Sequence, residues 1–187
     1  MSRALDTYTD TELARLLHDA EHVTRDVFSE LYDRHEQRIY AYALRVTGSR
    51  DDASDILQDT FIKFYNALQH TIVENVGAYL VMTARNLCLN HKRSKRFYEP
   101  LSEELVGESL AQKFEQTELM GLIGKALQAL ELEQREAFVL RFYHGMEYEE
   151  MADVAGESVN AMRNRVWRAK EKLKQILAPF IHELNGL

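Results

Sequence analysis

Apolar residues recur along this chain every three or four positions and almost never in strict alternation. That is the spacing of helices that bury one face. Phe28, Leu31, Tyr32, His35, Ile39, Tyr42, Ala43 and Val46 form one long stripe, and Gly48 ends it. Ser49 or Asp51 is placed to cap a second helix over 51–68, with Ala53, Ile56, Leu57, Thr60, Phe61 and Phe64 inward. Its opposite face carries Asp51, Asp55, Gln58 and Asp59. After a loop at 69–75 the spacing predicts a third helix over 76–93, resting on Val76, Leu80, Thr83, Ala84 and Leu87. Residues 97–117 break the rhythm with Pro100 and Gly107 and read as a linker. Beyond it the pattern predicts helices over 118–130 and 133–142. The expected fold is all-α: two small helical domains, 1–96 and 118–187, joined by the linker.

The most informative stretch is 147–174. Tyr148, Met151, Ala152 and Ala155 keep the spacing of a buried helical stripe, and Gly156 suits the positive-φ residue just past a helix end. Ser158 can cap the next helix. There Val159, Met162, Val166, Ala169 and Leu173 share one side. Asn160, Asn164 and Arg168 lie opposite, flanked by Arg163 and Arg165. An apolar back fixed to a first helix and a polar front is the layout of a helix-turn-helix. Asn pairs bidentately with adenine and Arg with guanine, so this front carries base-reading chemistry.

Charge sharpens that reading. The chain is acidic, with a net charge of −7, yet residues 163–174 hold six Lys or Arg against one Glu. A local basic patch on an acidic protein favours a polyanion partner held at one place. A second such patch, RNLCLNHKRSKR at 85–96, has five basic residues and no acid. The linker has five Glu against one Lys. Two positive patches on separate domains suggest a protein that grips DNA at two places.

Other classes find little support. Cys88 is the only cysteine, which excludes an intramolecular disulfide and suits a reducing cytoplasm. The first residues lack the apolar run of a signal peptide, and no run of ~18 apolar residues offers a membrane span. There is no Gly-rich phosphate loop and no HExxH motif, so no catalytic residue and no cofactor is assigned. His18 and His22 flank Glu21 at helical spacing but lack the ligand set of a usual metal site, so no metal is assigned. Cys88 near His91 reads as a partly buried thiol beside a surface imidazole.

Three stretches together resemble a known family. FSELYDRHEQRIYAYALRVTGSRDDASDILQDTFIKFYNAL at 28–68, AYLVMTARNLCLNHKRSKR at 78–96, and LQALELEQREAFVLRFYHGMEYEEMADVAGESVNAMRNRVWRAKEKLK at 127–174 are similar to segments of extracytoplasmic-function sigma factors. These are the smallest class of the sigma-seventy family of bacterial transcription initiation factors. The three stretches fall between residues 28 and 174, in the family's order.

The resemblance implies partners and sites. Residues 1–96 would act as sigma region 2 and residues 118–187 as region 4. Asp52, Asp55, Gln58, Asp59 and Phe61 would bind core RNA polymerase at the clamp helices of the β′ subunit, and the second domain would meet the β flap. Tyr79, Arg85, Asn86, Asn90, Lys92, Arg93 and Arg96 would read and open the minus-ten element of promoter DNA, helped by the preceding loop. Ser158, Asn160, Arg163, Asn164, Arg165 and Arg168 would read the minus-thirty-five element. An anti-sigma factor would hold the protein inactive. Tyr79 stands where the family often has Trp, and Trp167 where it often has His. The linker, extended, spans at most ~70 Å, close to two turns of DNA.

Two rival classes remain at this stage. One is a dimeric helix-turn-helix regulator that binds duplex DNA by itself. The other is a helical interaction module with no DNA role.

Overall fold

The computed structural model describes residues 5–19, 25–95 and 118–184. Among them are eight helices and no strand. They are α1 Asp10–Asp19, α2 Arg25–Thr47, α3 Arg50–Leu68, α4 Val76–Lys95, α5 Glu118–Gln128, α6 Leu132–Phe142, α7 Tyr148–Ala155 and α8 Val159–Leu184. The described residues divide into two compact units, one holding α1, most of α2, nearly all of α3, and α4, the other holding residues 44–50 with α5 to α8.

The first unit forms where the stripes of α2, α3 and α4 meet. Leu31, Ile39, Tyr42, Phe64, Leu68 and Leu80 are fully buried. Rings line the α2–α3 contact: Tyr32 lies 4.6 Å from Phe61, and Phe28 about 6 Å from both Phe61 and Phe64. Aromatic contacts of this kind add roughly 0.5–1.5 kcal/mol each beyond area burial. Gly48 ends α2 at φ 79°, a conformation that suits glycine.

The apolar pattern assigned no element before residue 22, yet α1 is a well-formed helix. Thr9 and Glu12 make a reciprocal cap: the Thr9 backbone N–H donates to Glu12 at 2.7 Å, and the Glu12 N–H donates to the Thr9 hydroxyl at 3.3 Å. Leu13, Ala14 and Leu17 are buried. Arg34 on α2 pins the chain just before this helix. It donates to the carbonyls of Leu5 and Tyr8 and to the carboxylates of Asp10 and Glu30. His35, on the same helix, lies 2.6 Å from Asp10. Burial alone would raise the Asp10 carboxyl. Hydrogen bonds and charge from Arg34 and His35 outweigh it and hold the group below the usual carboxylate range.

α1 packs on α4, and α4 buries a broader face than its spacing predicted. Val81 and Cys88 are buried, while Thr83 and Leu87 are only half-buried. The thiol expected to be partly buried is therefore wholly enclosed.

In the second unit, α5, the turn after it and α8 share a core of Ala126, Leu127, Leu130, Ala169 and Leu173. Met151 and Ala152 of α7 are buried, as are Met162 and Val166 of α8. One buried cation organises this unit. Arg135 on α6 donates to the carbonyls of Leu127, Gln128 and Leu130. These carbonyls lie at and just past the end of α5, where helical donors run out. Burial pushes the guanidinium down to about 10, so it stays charged at neutral pH. Arg135→Ala removes a buried donor from all three carbonyls and leaves Leu127 with the Leu130 N–H at 3.1 Å, and we expect it to cost about 3 kcal/mol of stability. Denaturant unfolding of the full chain checks this; an unchanged midpoint would contradict it.

Candidate functional site

The structure presents three surfaces, each on one face of one helix. The first is the outward row of α3. Asp55, Gln58 and Asp59 are exposed on it, and steps of three and four residues carry the same row on to Ile62 and Tyr65, 47% and 41% exposed.

Two of the residues that the resemblance assigns to the polymerase contact are not exposed on that row. Asp52 is buried, one turn before buried Ile56, and its Oδ1 sits 3.0 Å from His91 Nε2 of α4. Phe61 is buried among the rings of the α2–α3 contact. Phe61 shares the inward stripe, whereas Asp52, three residues before Asp55, is enclosed where His91 of α4 meets the start of α3. They support the row from behind. Ile62 and Tyr65 were missed because the outward face was traced only through its polar residues.

The second surface is the outer side of α4 with the loop before it. Met82, Asn86 and Asn90 are exposed and step along one line at intervals of four. Arg85 is half-buried beside them. Tyr79 is also half-buried: its ring lies 5.9 Å from Phe64, and its hydroxyl reaches the Lys63 carbonyl at 3.5 Å. It braces α4 on α3 as well as bordering the surface. The side chains of Lys92 and Arg93, and the whole of Arg96, lie outside the described residues. In the loop Val73 is buried, whereas Thr71, Ile72, Glu74 and Asn75 are exposed. Asn75 caps α4 by accepting the Ala78 N–H at 3.0 Å.

The third surface is the front of α8. Gly156 adopts φ 65° after α7, and the Glu157 N–H donates to the Ala152 carbonyl at 3.0 Å. The Ser158 hydroxyl accepts the Ala161 N–H at 3.1 Å and starts α8. This is the helix, turn and helix that the sequence predicted. Asn160, Arg163, Asn164 and Arg168 are exposed.

Arg165 differs from its expected place on an open flank. It donates to Glu157 at 2.8 Å and is only 21% exposed. Arg163 is 3.7 Å from Glu149 and 5.4 Å from the Tyr148 ring centre. Trp167 was not among the predicted site residues. It is 63% exposed and lies three residues from Asn164 and seven from Asn160, on the same front. Its signal in the sequence is an aromatic at a position where the apolar back requires none.

Among the described residues no group of three or more His, Cys, Asp or Glu could hold a metal ion. His18 Nδ1 is 2.8 Å from the Leu68 carbonyl, and His22 lies outside the described residues. No helix among the described residues is long and apolar enough to cross a membrane.

Comparison with known proteins places these surfaces inside matched segments. The model for Sigma-70 region 2 matches residues 31–98, and the model for Sigma-70, region 4 matches residues 120–173. The chain is similar to the ECF RNA polymerase sigma factor BldN of Streptomyces coelicolor, at 28% identity over 90% of this chain and 68% of the relative. It is also similar to the ECF RNA polymerase sigma factor SigE of Mycolicibacterium smegmatis, at 28% identity over 81% of this chain. There it spans 62% of the relative's length. RNA polymerase sigma-H factor of Pseudomonas aeruginosa matches at 24% identity over 94% of this chain and 98% of its own. Among solved structures, the sigma factor RpoE from Bartonella quintana, in complex with the anti-sigma factor NepR, superposes with a TM-score of 0.67. The identity is 26%, over 81% of this chain and 96% of that one.

Proposed function

This chain belongs to the extracytoplasmic-function sigma factors of the sigma-70 family, proteins that take core RNA polymerase to promoters, and from that premise we propose how its residues divide the work. The reading makes it a binding factor that breaks no bond itself and acts in the cytoplasm, where RNA polymerase is. The observation that carries it is the order of three surfaces along the chain. An acidic-apolar row on α3 comes first, a polar face on α4 before a basic helix end comes next, and a helix-turn-helix front comes last.

The α3 row of Asp55, Gln58 and Asp59, extended by Ile62 and Tyr65, docks on the β′ clamp helices. Carboxylates set charge complementarity with a basic partner, and the two apolar side chains supply desolvated area. The second unit meets the β flap. On α4, Asn86 and Asn90 offer hydrogen bonds to unpaired bases of the minus-ten element and Met82 offers an apolar contact. Arg85, Lys92, Arg93 and Arg96 attract the backbone. An anti-sigma factor holds the protein inactive, as the RpoE complex suggests by analogy.

On α8, Asn160, Asn164 and Arg168 approach base edges in the major groove of the minus-thirty-five element. Trp167 adds a flat apolar surface suited to thymine methyl groups. Ser158 and Arg165 hold the turn that sets the helix in place, and Arg163 contacts phosphate. Arg168→Ala in the holoenzyme is expected to cost about 1–3 kcal/mol on the preferred upstream element and to relax its sequence preference. Trp167→Ala is expected to lose preference at a thymine. Arg163→Ala is expected to weaken binding evenly across sequences, because phosphate contacts carry no base information. Binding of the three variants to a panel of upstream elements checks this. Upstream preference untouched by Arg168→Ala would refute the assignment.

A further inference from the structure

α1 precedes the segment matched by the region 2 model, and nothing above gives it a task. Its hydrogen bonds suggest one. The Thr11 hydroxyl donates to the Glu74 carbonyl at 2.7 Å, and His18 Nδ1 donates to the Leu68 carbonyl at 2.8 Å in the tautomer protonated there. Leu68 is the last residue of α3, and Glu74 lies two residues before α4. The two bonds therefore fall on the two ends of the 69–75 loop.

The spacing makes this possible. Thr11 and His18 are seven residues apart, nearly two helical turns, so both point from one face of α1. Leu13, Ala14 and Leu17, in sequence between them, are buried on the neighbouring side of α1 and fix the helix against the unit. Arg34 and His35 hold Asp10 at the start of α1, so the helix has a rigid footing of its own.

We propose that α1 is a clamp on the 69–75 loop: Thr11 and His18 hold its two ends at a set separation, so the loop is already shaped when an unpaired strand reaches it and α4. This rests on the reading that α4 and its preceding loop meet the melted minus-ten strand. An unclamped loop would be ordered only on binding, at an entropic cost that weakens capture. Thr11 and His18 are positioning residues. They touch no DNA and act through the loop that carries exposed Thr71, Ile72 and Asn75.

The test compares two double variants of the full chain. Thr11→Val with His18→Phe removes both donors while keeping size. Thr11→Ser with His18→Asn keeps a hydroxyl and an amide N–H near the position of Nδ1. Hydrogen exchange on the free protein reports the loop directly. In the donor-free variant the 69–75 amides should exchange about tenfold faster, the factor for two net hydrogen bonds, with the rest of α3 and α4 unchanged. The conservative variant should return to the original rate.

Each protein is then assembled with core RNA polymerase and selected against a randomised single-stranded DNA library. The donor-free holoenzyme should bind its selected strand about tenfold more weakly and with flattened sequence preference. Core affinity and upstream duplex preference should stay within about twofold. Unchanged loop exchange overturns the clamp. So does an equal loss of core affinity, which would make the two bonds merely part of folding. Faster loop exchange with unaltered strand capture also overturns it. If the unaltered holoenzyme selects no single-stranded sequence, the minus-ten reading itself falls, whatever the loop does.

Discussion

Reversing Asp55 and Asp59 together, as Asp55→Arg with Asp59→Arg, is expected to weaken binding to core RNA polymerase at least about tenfold. Both carboxylates are exposed on the outward row of α3 and stand one turn apart, so in the proposed reading they meet the same partner surface. That surface is basic in the proposed reading, and reversal replaces two attractions with two repulsions. The fold should not suffer, since the core of α3 comes from Ile56, Leu57, Thr60, Phe61, Phe64 and Leu68. Surface changes of this kind usually stay within about 0.5 kcal/mol of stability. A helical spectrum and unfolding midpoint like those of the unaltered chain, with competition for core polymerase lost, is the expected pair of results. Full affinity for core would remove α3 from the polymerase interface. Asp52 is a useful contrast. Its carboxylate faces His91, so Asp52→Asn should act on the packing of α3 against α4 rather than on the partner.

The free chain is expected to bind promoter duplex weakly, and added core polymerase to tighten specific binding at least about a hundredfold. Association with DNA rests on phosphate neutralisation, and a chain of net charge −7 opposes it at long range. The front of α8 attracts the backbone only locally, and part of its charge is already committed. Arg165 is bonded to Glu157, and Arg163 lies near Glu149. In the proposed reading core polymerase supplies a larger assembly in which the α4 and α8 surfaces act on one promoter, and linked sites gain from effective concentration. Titration of labelled duplex with and without core, at several salt concentrations, measures this. Tight, sequence-specific binding by the free chain as a dimer would favour a self-sufficient regulator.

The sequence carried the helices because their apolar stripes are long and interrupted at informative places. Gly48, Gly156 and Ser158 mark ends and starts that the structure places as expected. It did not carry α1 as an element, although the Thr9–Glu12 cap and the Leu13, Ala14 and Leu17 spacing are visible in it. A helix this short is marginal alone and depends on docking, here on α4 and on Arg34 and His35. The inward turn of Asp52 was hidden for a related reason. Its partner His91 lies on another helix, and one helix's pattern does not name a tertiary partner. Phe61 belonged to a buried stripe and to a matched docking position at once, and burial decides where its ring is. Trp167 was readable but overlooked, since an exposed aromatic interrupts a face recognised by its polarity.

The most direct test of the central claim is in vitro transcription with purified bacterial core RNA polymerase, with and without this chain, on a genomic fragment library whose transcript starts are mapped. The account predicts discrete starts that appear only with the chain. They should share one upstream and one minus-ten element, with strand opening detectable at the latter. Absence of any chain-dependent start, while the chain alone holds specific duplex sites, would contradict it.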